Sequence, residues 1–380
     1  MALEIAFYLT GIACAYSYFL YPLLLRLVPA RRSLEHAPLD DDRLPSMSLI
    51  ITAHNEESRI TEKIDNSLEI DYPSDRLEII VASDCSSDAT DDIVNGYADR
   101  GVRLVRATER KGKEHAQLCA IEQASGEVLV FSDVATRIPP EALRLLAVKF
   151  ADEEIGAVSS EDRFVSNDGS IVGEGAYVKY EMWLRRLEST RAGLIGLSGS
   201  FFAARREVCE QWDIYCPSDF NTALNCAQSD VIAITCPEVL GIYKDVKDPA
   251  LEYRRKLRTV IRGLTAIARH PEVLNPFRFG LFSLQVWSHK IMRWGVPWFM
   301  LIFALLTLAL VGCSLIAELA LLGQMLFYAI AITGWLVPTS RDNTLIRLVY
   351  FFVSTNLALA HATVQFIGGQ RMTVWTPSKR

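Results

Sequence analysis

The 380-residue sequence predicts an α/β domain set between membrane-crossing helices at its two ends. Three observations carry this. Half of the residues are apolar, yet the long apolar runs gather at the two ends while the middle has the make-up of a water-soluble domain. From Ser46 onward, short apolar runs alternate with helical stretches, the pattern of a parallel sheet with crossover helices. Three of those runs stop abruptly at acidic residues, and the carboxyl ends of strands are where open α/β sheets bind ligands.

Residues 1–30 form the first element. The stretch from Leu3 to Val28 is apolar except for Glu4 and Arg26, long enough to cross about 30 Å of hydrocarbon. It lacks a basic start and a small-residue cleavage site, so it reads as a retained anchor rather than a leader. Arg31 and Arg32 follow at once, which puts the next domain on the cytoplasmic side. Residues 31–45 are polar and contain proline, a linker by composition. The domain itself runs over 46–270, with strands expected at 48–52, 77–82, 102–106, 128–132 and 157–160 and helices at 57–70, 89–98 and 114–124. In the last helix Ala116, Ala120 and Ala124 recur every four residues and make a narrow face for close packing on a sheet.

Residues 271–294 mix aromatic rings with His289, Lys290 and Arg293, the composition of an interfacial helix. Residues 295–367 hold three apolar runs, at about 295–313, 316–337 and 345–367, with Arg341, Asp342, Asn343 and Arg347 between the last two. The tail, 368–380, is basic. Three crossings place that tail outside, against the positive-inside tendency, so either one run is re-entrant or the tail is an exception.

A formal charge of −6 excludes a nucleic-acid binder, which needs a net basic face to neutralise phosphates. The eight cysteines include no CxxC pair and no histidine at zinc-finger spacing, and read as reduced thiols.

The chemistry-bearing residues sit at the strand ends. In SLIITAHNEE, 48–57, an apolar strand stops at His54, Asn55, Glu56 and Glu57; either these meet a ligand, or Asn55 caps the following helix while the glutamates face its dipole. In EIIVASDCSSDAT, the strand delivers Asp84, an acceptor suited to the N–H of a base or to ribose, whereas Asp88 and Thr90 suit a turn and a helix cap. In VLVFSDVAT, the strand ends at Asp133, where a carboxylate can ligate a divalent cation bridging a diphosphate.

Taken together these segments resemble the processive-type family 2 glycosyltransferases, over nearly the whole chain. The family pattern is strand-Pro-x-x-Asn-Glu, strand-Asp-Asp-Gly-Ser-x-Asp, Gly-Lys with an Ala-rich helix, and Asp-x-Asp. Here it corresponds to Thr52 through Asn55-Glu56, Ser83-Asp84 through Asp88, Gly112-Lys113, and Asp133-Val134-Ala135. The resemblance implies a GT-A nucleotide-sugar-binding fold, a mostly parallel mixed sheet flanked by helices. It also implies donor contacts from Glu56, Asp84, Lys113 and Asp133, with Asp133 serving a divalent metal, Mg or Mn. Thr52, Ser83, Cys85 and Ala135 depart from the pattern, and Ala135 removes the second carboxylate of the metal motif.

The run GLIGLSGSFFAARREV resembles the family's acceptor-side segment. Gly199 and Ser200 would let a sugar approach the backbone; a turn that needs positive φ at Gly199 is the alternative. Asp219 in CPSDFNTAL matches the catalytic base of inverting transfer; without the resemblance Ser218-Asp219 reads as a helix N-cap. In EYRRKLRTVIRGL, Arg255 and Arg258 match the two polar positions of Gln/Arg-x-x-Arg-Trp, with Thr259 in place of the tryptophan. Arginine there can fork onto diphosphate oxygens. The other reading is an amphipathic helix that turns Leu257, Val260 and Ile261 inward.

The resemblance thus implies a hexosyltransferase-type enzyme in a plasma membrane, a bacterial inner membrane by expectation, with its catalytic domain cytoplasmic. Its partners would be a nucleoside diphosphate sugar donor, a saccharide or lipid-linked acceptor, membrane lipids, and a second copy or a partner subunit, but no nucleic acid. Polysaccharide or glycolipid biosynthesis is the expected setting. The losses at Ser83, Ala135 and Thr259 motivate an alternative, a non-catalytic glycosyltransferase-like subunit regulating a synthase complex.

Overall fold

A computed structural model describes residues 1–31, 39–165, 176–244 and 249–372. The chain divides into two compact units. One comprises Val28–Lys247, Thr265–Ser283 and the end of the chain, and the other Met1–Leu27, Asp248–Leu264 and Leu284–Arg371.

The first unit is built on a seven-stranded sheet: β1 (Met47–Ala53), β2 (Leu77–Ser83), β3 (Val102–Arg106), β4 (Val128–Asp133), β5 (Ile155–Val165), β6 (Phe201–Arg205) and β7 (Ile232–Lys244). The strand order is β3-β2-β1-β4-β6-β5-β7. β1 pairs in parallel with β2 and β4, β2 with β3 and β5 with β7, whereas β6 runs antiparallel to β4 and β5. The sheet is mostly parallel and mixed, as expected.

Every residue of β1 is buried, which its apolar run requires of a central strand covered on both faces. Alternation divides its side chains between two cores. Leu49 and Ile51 join Val81, Val130 and Phe201 on one face, while Ile50 joins Ile80, Leu129, Phe131 and Phe202 on the other. The helix Lys113–Ile121 lays Ala116 and Ala120 against this second face, the small-residue contact read from the sequence.

The strands and helices anticipated over 48–160 are present, with shifted ends. The first helix starts at Ile60, not at residue 57, because Asn55 has φ 53° and the residues after it hold a neighbouring turn. Asn55 therefore does not cap the helix: its Oδ1 accepts the Ser87 amide at 2.8 Å. β7 was not anticipated, since Pro237 and Gly241 interrupt its run. The sheet absorbs the interruption as an irregularity, Ser159 pairing with Thr235 but Glu161 with Leu240.

The second unit holds most of the apolar helical residues. Among the described residues, four helical stretches are long and apolar enough to cross a membrane: Ala2–Leu27, Pro276–Leu310, Leu315–Leu336 and Thr344–Ile367. The expected interfacial segment and first C-terminal crossing form one helical stretch of 35 residues. It is kinked at Gly280 (φ 52°) and has a π-type turn over Val286–Ile291. At 1.5 Å per residue it measures about 52 Å, well beyond the hydrocarbon thickness, so part of it extends past the apolar layer of a bilayer.

Within this unit Phe7 stacks on Phe303, and Tyr16 bonds to Ser288 at 2.9 Å. The helix Pro249–Arg269 buries Leu257, Val260 and Ile261 against Leu359 and Ala362, the inward set of the amphipathic reading. Arg32 and residues 373–380 of the basic tail lie outside the described residues.

Candidate functional site

The acids singled out in the sequence emerge at one edge of the sheet. β1, β2 and β4 end there, and antiparallel β6 begins there. The turn after β2 is tied down by its own side chains. Asp88 Oδ1 accepts from the Thr90 amide at 3.0 Å and hydroxyl at 2.6 Å, and its Oδ2 from the Glu57 amide at 3.1 Å. Asp88 is the turn residue its spacing suggests, whereas Thr90 is not a cap: it is the first residue of the helix Thr90–Asn95, whose N-cap is Ala89 with no side-chain bond. Cys85 occupies this turn with φ 53°, a conformation that glycine takes at less cost, so its place in the family's Gly position carries backbone strain.

Asp84 is fully buried. Its Oδ1 accepts the amides of Lys111 and Gly112 at 3.2 and 3.1 Å, and His54 Nδ1 donates to its carbonyl at 2.7 Å. Its Oδ2 has no hydrogen-bond partner among the described residues. An orphaned buried acceptor costs about 1–3 kcal/mol, which a ligand donor would return.

By holding the 111–112 turn, Asp84 sets the start of the next helix, and with it Lys113. The Lys113 ammonium donates to Asp133 Oδ1 at 2.6 Å and to the Gly199 carbonyl at 2.8 Å. It is 10% exposed and Asp133 29%, so the ammonium is largely shielded while the carboxylate stays partly accessible. Asp133 donates its amide to the Ser200 carbonyl at 3.0 Å.

Gly199 in turn adjoins Asp219: a Cβ on Gly199 would lie 3.5 Å from Asp219 Oδ2, an ordinary contact. Positive φ is not the reason for glycine here, because Gly199 is not among the left-handed residues. Asp219 lies in the first turn of the helix Ser218–Gln228. That helix is capped by neither Ser218 nor Asp219; Pro217 is its N-cap, with no side-chain bond. The Leu197 amide donates to the Asp219 carbonyl at 3.1 Å, and the Ser218 amide to Glu114 Oε1 at 3.4 Å. Glu114, next to Lys113, thus links the lysine's helix to the helix bearing Asp219.

Glu56 is 3% exposed and paired with Arg59 at 2.5 Å. Burial raises its pKa above the ordinary glutamate value, opposed by Arg59 and assisted by the charges of Asp133 and Asp88. Asp84, Lys113, Asp133, Gly199, Ser200 and Asp219 are therefore linked through the 111–113 and 197–200 segments, and Glu56 is coupled to Asp133 through charge alone. Arg255 and Arg258 belong to the other unit, exposed and half-buried respectively, and their reach to a diphosphate rests on the resemblance alone.

Three further residues shape the site. Asp162 accepts the hydroxyls of Ser198 at 2.5 Å and Ser200 at 2.8 Å, fixing the segment that lies beside Asp133; as an acid beyond the apolar run of β5 it repeats the signal of the other strand ends. Glu114 had no such signal, standing inside a helix. Lys63 is fully enclosed and donates to Ser132 Oγ at 2.7 Å and the Thr136 carbonyl at 2.6 Å, spanning the turn that presents Asp133. Burial pulls its pKa down to about 7 against the opposing pull of Asp133. Its helical spacing from apolar Ile60, on the face that also carries Ile64, was the available clue.

A divalent cation fits Asp133 in a limited way. Lys113 engages Oδ1, and Oδ2 has no hydrogen bond among the described residues. Ala135 contributes no ligand, and among the described residues no trio of metal-ligating atoms gathers at Asp133. The donor set suits a hard ion held by one carboxylate, with diphosphate oxygens and waters completing its shell.

Strand order and acids gathered at one edge define an open α/β domain of the ligand-binding kind. Residues 48–212 match the family model described as Glycosyl transferase family 2. Its relatives include the probable glycosyltransferase YdaM of Bacillus subtilis, 30% identical over 184 residues, which are 45% of this chain and 43% of that protein. The beta-monoglucosyldiacylglycerol synthase of Trichormus variabilis is 25% identical over 179 residues, 45% of this chain and 38% of that protein. The chain thus spans less than half the length of these curated relatives. The solved structure of mannosyltransferase PcManGT from Pyrobaculum calidifontis, in complex with GDP-Man and Mn2+, superposes with a TM-score of 0.72 at 24% identity, covering 96% of this chain and 99% of that one. That likeness is one of fold, the GT-A type, and it extends over both units.

Proposed function

We propose that the chain is an inverting glycosyltransferase moving a sugar from a nucleoside diphosphate sugar to a lipid-linked or saccharide acceptor at a membrane. The observation that carries it is the Lys113 ammonium, held between Asp133 and the Gly199 carbonyl beside Asp219.

Each group has a task in this reading. Asp84 Oδ2, buried and without a partner, accepts a hydrogen bond from the nucleoside. Lys113 offsets diphosphate charge, and Arg255 and Arg258 extend that role by resemblance. Asp219 removes the acceptor hydroxyl proton while that oxygen attacks the anomeric carbon from the side opposite the leaving diphosphate, so an α-linked donor gives a β-linked product. Gly199 and Ser200 form the wall along which the acceptor enters. A divalent ion, Mg or Mn, bound at Asp133 would neutralise leaving-group charge.

Four apolar helices and a relative named for monoglucosyldiacylglycerol synthesis favour a lipid acceptor reached from the cytoplasmic side of a bacterial inner membrane. Glycolipid or polysaccharide assembly is the corresponding setting.

The experiment is a donor screen on the full chain in detergent, detecting released nucleoside diphosphate, with mass analysis of the product. Turnover with at least one donor, lost in Asp219→Asn while donor binding persists, is expected. Binding without turnover across the panel would instead favour a non-catalytic regulatory subunit, and undiminished turnover in Asp219→Asn would remove that residue's role.

A further inference from the structure

A second polar cluster lies in the sheet-bearing unit, outside the network around Lys113. Asp213, Cys216 and His270 bring one oxygen, one sulfur and one nitrogen within 4.8 Å of one another. The Cys216 thiol donates to Asp213 Oδ2 at 3.4 Å, and His270 Nε2 lies 3.5 Å from the same oxygen. Tetrahedral zinc, with bonds of about 2.0–2.2 Å to oxygen and nitrogen and about 2.3 Å to sulfur, separates its ligand atoms by about 3.3–3.6 Å. The sulfur–oxygen and nitrogen–oxygen separations already match.

Two features distinguish the cluster from a simple ion pair. His270 Nε2 is buried and has no hydrogen-bond partner among the described residues. On the other side of the ring, Nδ1 lies 3.5 Å from Glu272 Oε1, and that carboxylate is itself held by Gln228 at 2.7 Å. A carboxylate behind the far nitrogen of an imidazole is the arrangement that orients histidine toward a metal. Asp213 is held in place by hydrogen bonds, its Oδ1 accepting the Tyr215 amide at 2.9 Å. Cys216 is fully buried, while Asp213 and His270 are 11% and 19% exposed at the side chain, so the cluster is reached from the Asp213 and His270 side.

Arg269 is the competitor. Its Nε donates to Asp213 Oδ2 at 2.5 Å, placing one positive charge where a cation would sit. Yet its side chain is 45% exposed and rests on the Tyr215 ring at 4.8 Å, so it has solvent to swing into. We propose that Asp213, Cys216 and His270 form a binding site for a thiophilic divalent cation of the zinc class, which the Arg269 guanidinium occupies by turns. Entry of the metal releases the Cys216 thiol proton to solvent, forms the sulfur–metal bond and frees the guanidinium. Cys216 precedes Asp219 by three residues, so the metal would clamp the segment entering that helix.

The probe is Co2+, titrated into the chelator-treated full chain in detergent. One equivalent should produce a thiolate-to-cobalt charge-transfer band with tetrahedral visible bands, and Zn2+ should abolish them by displacement. Cys216→Ser should lose the charge-transfer band, and Glu272→Ala should weaken binding about ten- to hundredfold. Arg269→Gln should tighten it by removing the competing charge, and Asp133→Asn should leave it unchanged, which separates this site from the donor cleft. Should Cys216→Ser fail to fold, His270→Gln carries the test, with a loss of about tenfold or more expected. Absence of the band in the wild type, its persistence in folded Cys216→Ser, or unaltered affinity in His270→Gln would overturn the site. Failure here leaves the transferase reading standing, and the reverse holds as well.

Discussion

Lys113 and Arg269 each anchor an aspartate, in contrasting surroundings. The lysine is 10% exposed and divides its bonds between Asp133 and a backbone carbonyl, whereas the arginine is 45% exposed and leans on a tyrosine ring. The first pair is placed by a turn that buried Asp84 holds from below, so its position is determined by the sheet edge. The second is placed by side chains at a helix end. A cation fixed by the fold is suited to meet a substrate charge, and one that can swing away is suited to be replaced.

This contrast can be broken by substitution. The largest effect should come from Asp219→Asn, which lowers turnover by about 10²–10⁴-fold, the range of a lost general base, with nucleotide affinity retained in calorimetry. Next is Lys113→Met. Loss of a hydrogen bond to a charged group, about 1.5–3 kcal/mol, should weaken nucleoside diphosphate binding by about ten- to hundredfold, whereas Arg269→Gln should not alter it. Equal losses in the two variants would erase the distinction. Ala135→Asp, which restores the second carboxylate, should tighten Mn2+ binding measured in the presence of nucleotide.

Smaller effects concern the scaffold under Asp133. Lys63 titrates near pH 7 in the folded chain and near 10.5 when unfolded. Between those values the unfolded state binds more protons, so the lysine's contribution to stability rises with pH across the window and is flat below it. Chemical denaturation of wild type against Lys63→Met should therefore show a difference that moves in the wild type's favour from pH 7 to 10. The smallest effect belongs to Cys85→Gly. Relief of the left-handed backbone, offset by glycine's added chain entropy and the lost thiol bond to the Ala107 carbonyl, should change stability by less than about 1 kcal/mol, in the stabilising direction.

The parallel half of the sheet was legible in the sequence because strands buried on both faces are continuous apolar runs bounded by turns. β7 was not, since a proline and a glycine inside a strand are the usual marks of its end and only pairing with β5 across an irregularity keeps it extended. At the site, acids at strand ends announced themselves, and Asp84, Asp133 and Asp219 are joined through the 111–113 and 197–200 segments. Glu114 did not, and Lys63 did so only through its helical spacing from Ile60: a charged residue inside a helix ordinarily faces solvent, and the three-dimensional packing shows both turned inward. The cluster of Asp213, Cys216 and His270 was hidden for a different reason. Its histidine is far away in sequence, so no short spacing reveals it.

The central claim is that the sheet edge grips a nucleoside diphosphate through Asp84 and Lys113. Calorimetric titration of UDP and of GDP into the full chain, in wild type, Asp84→Asn and Lys113→Met, tests it most directly. The account predicts saturable binding of at least one nucleotide in the wild type and a marked loss in both variants; wild-type affinity in either variant, or no binding of any nucleoside diphosphate by the wild type, would contradict it.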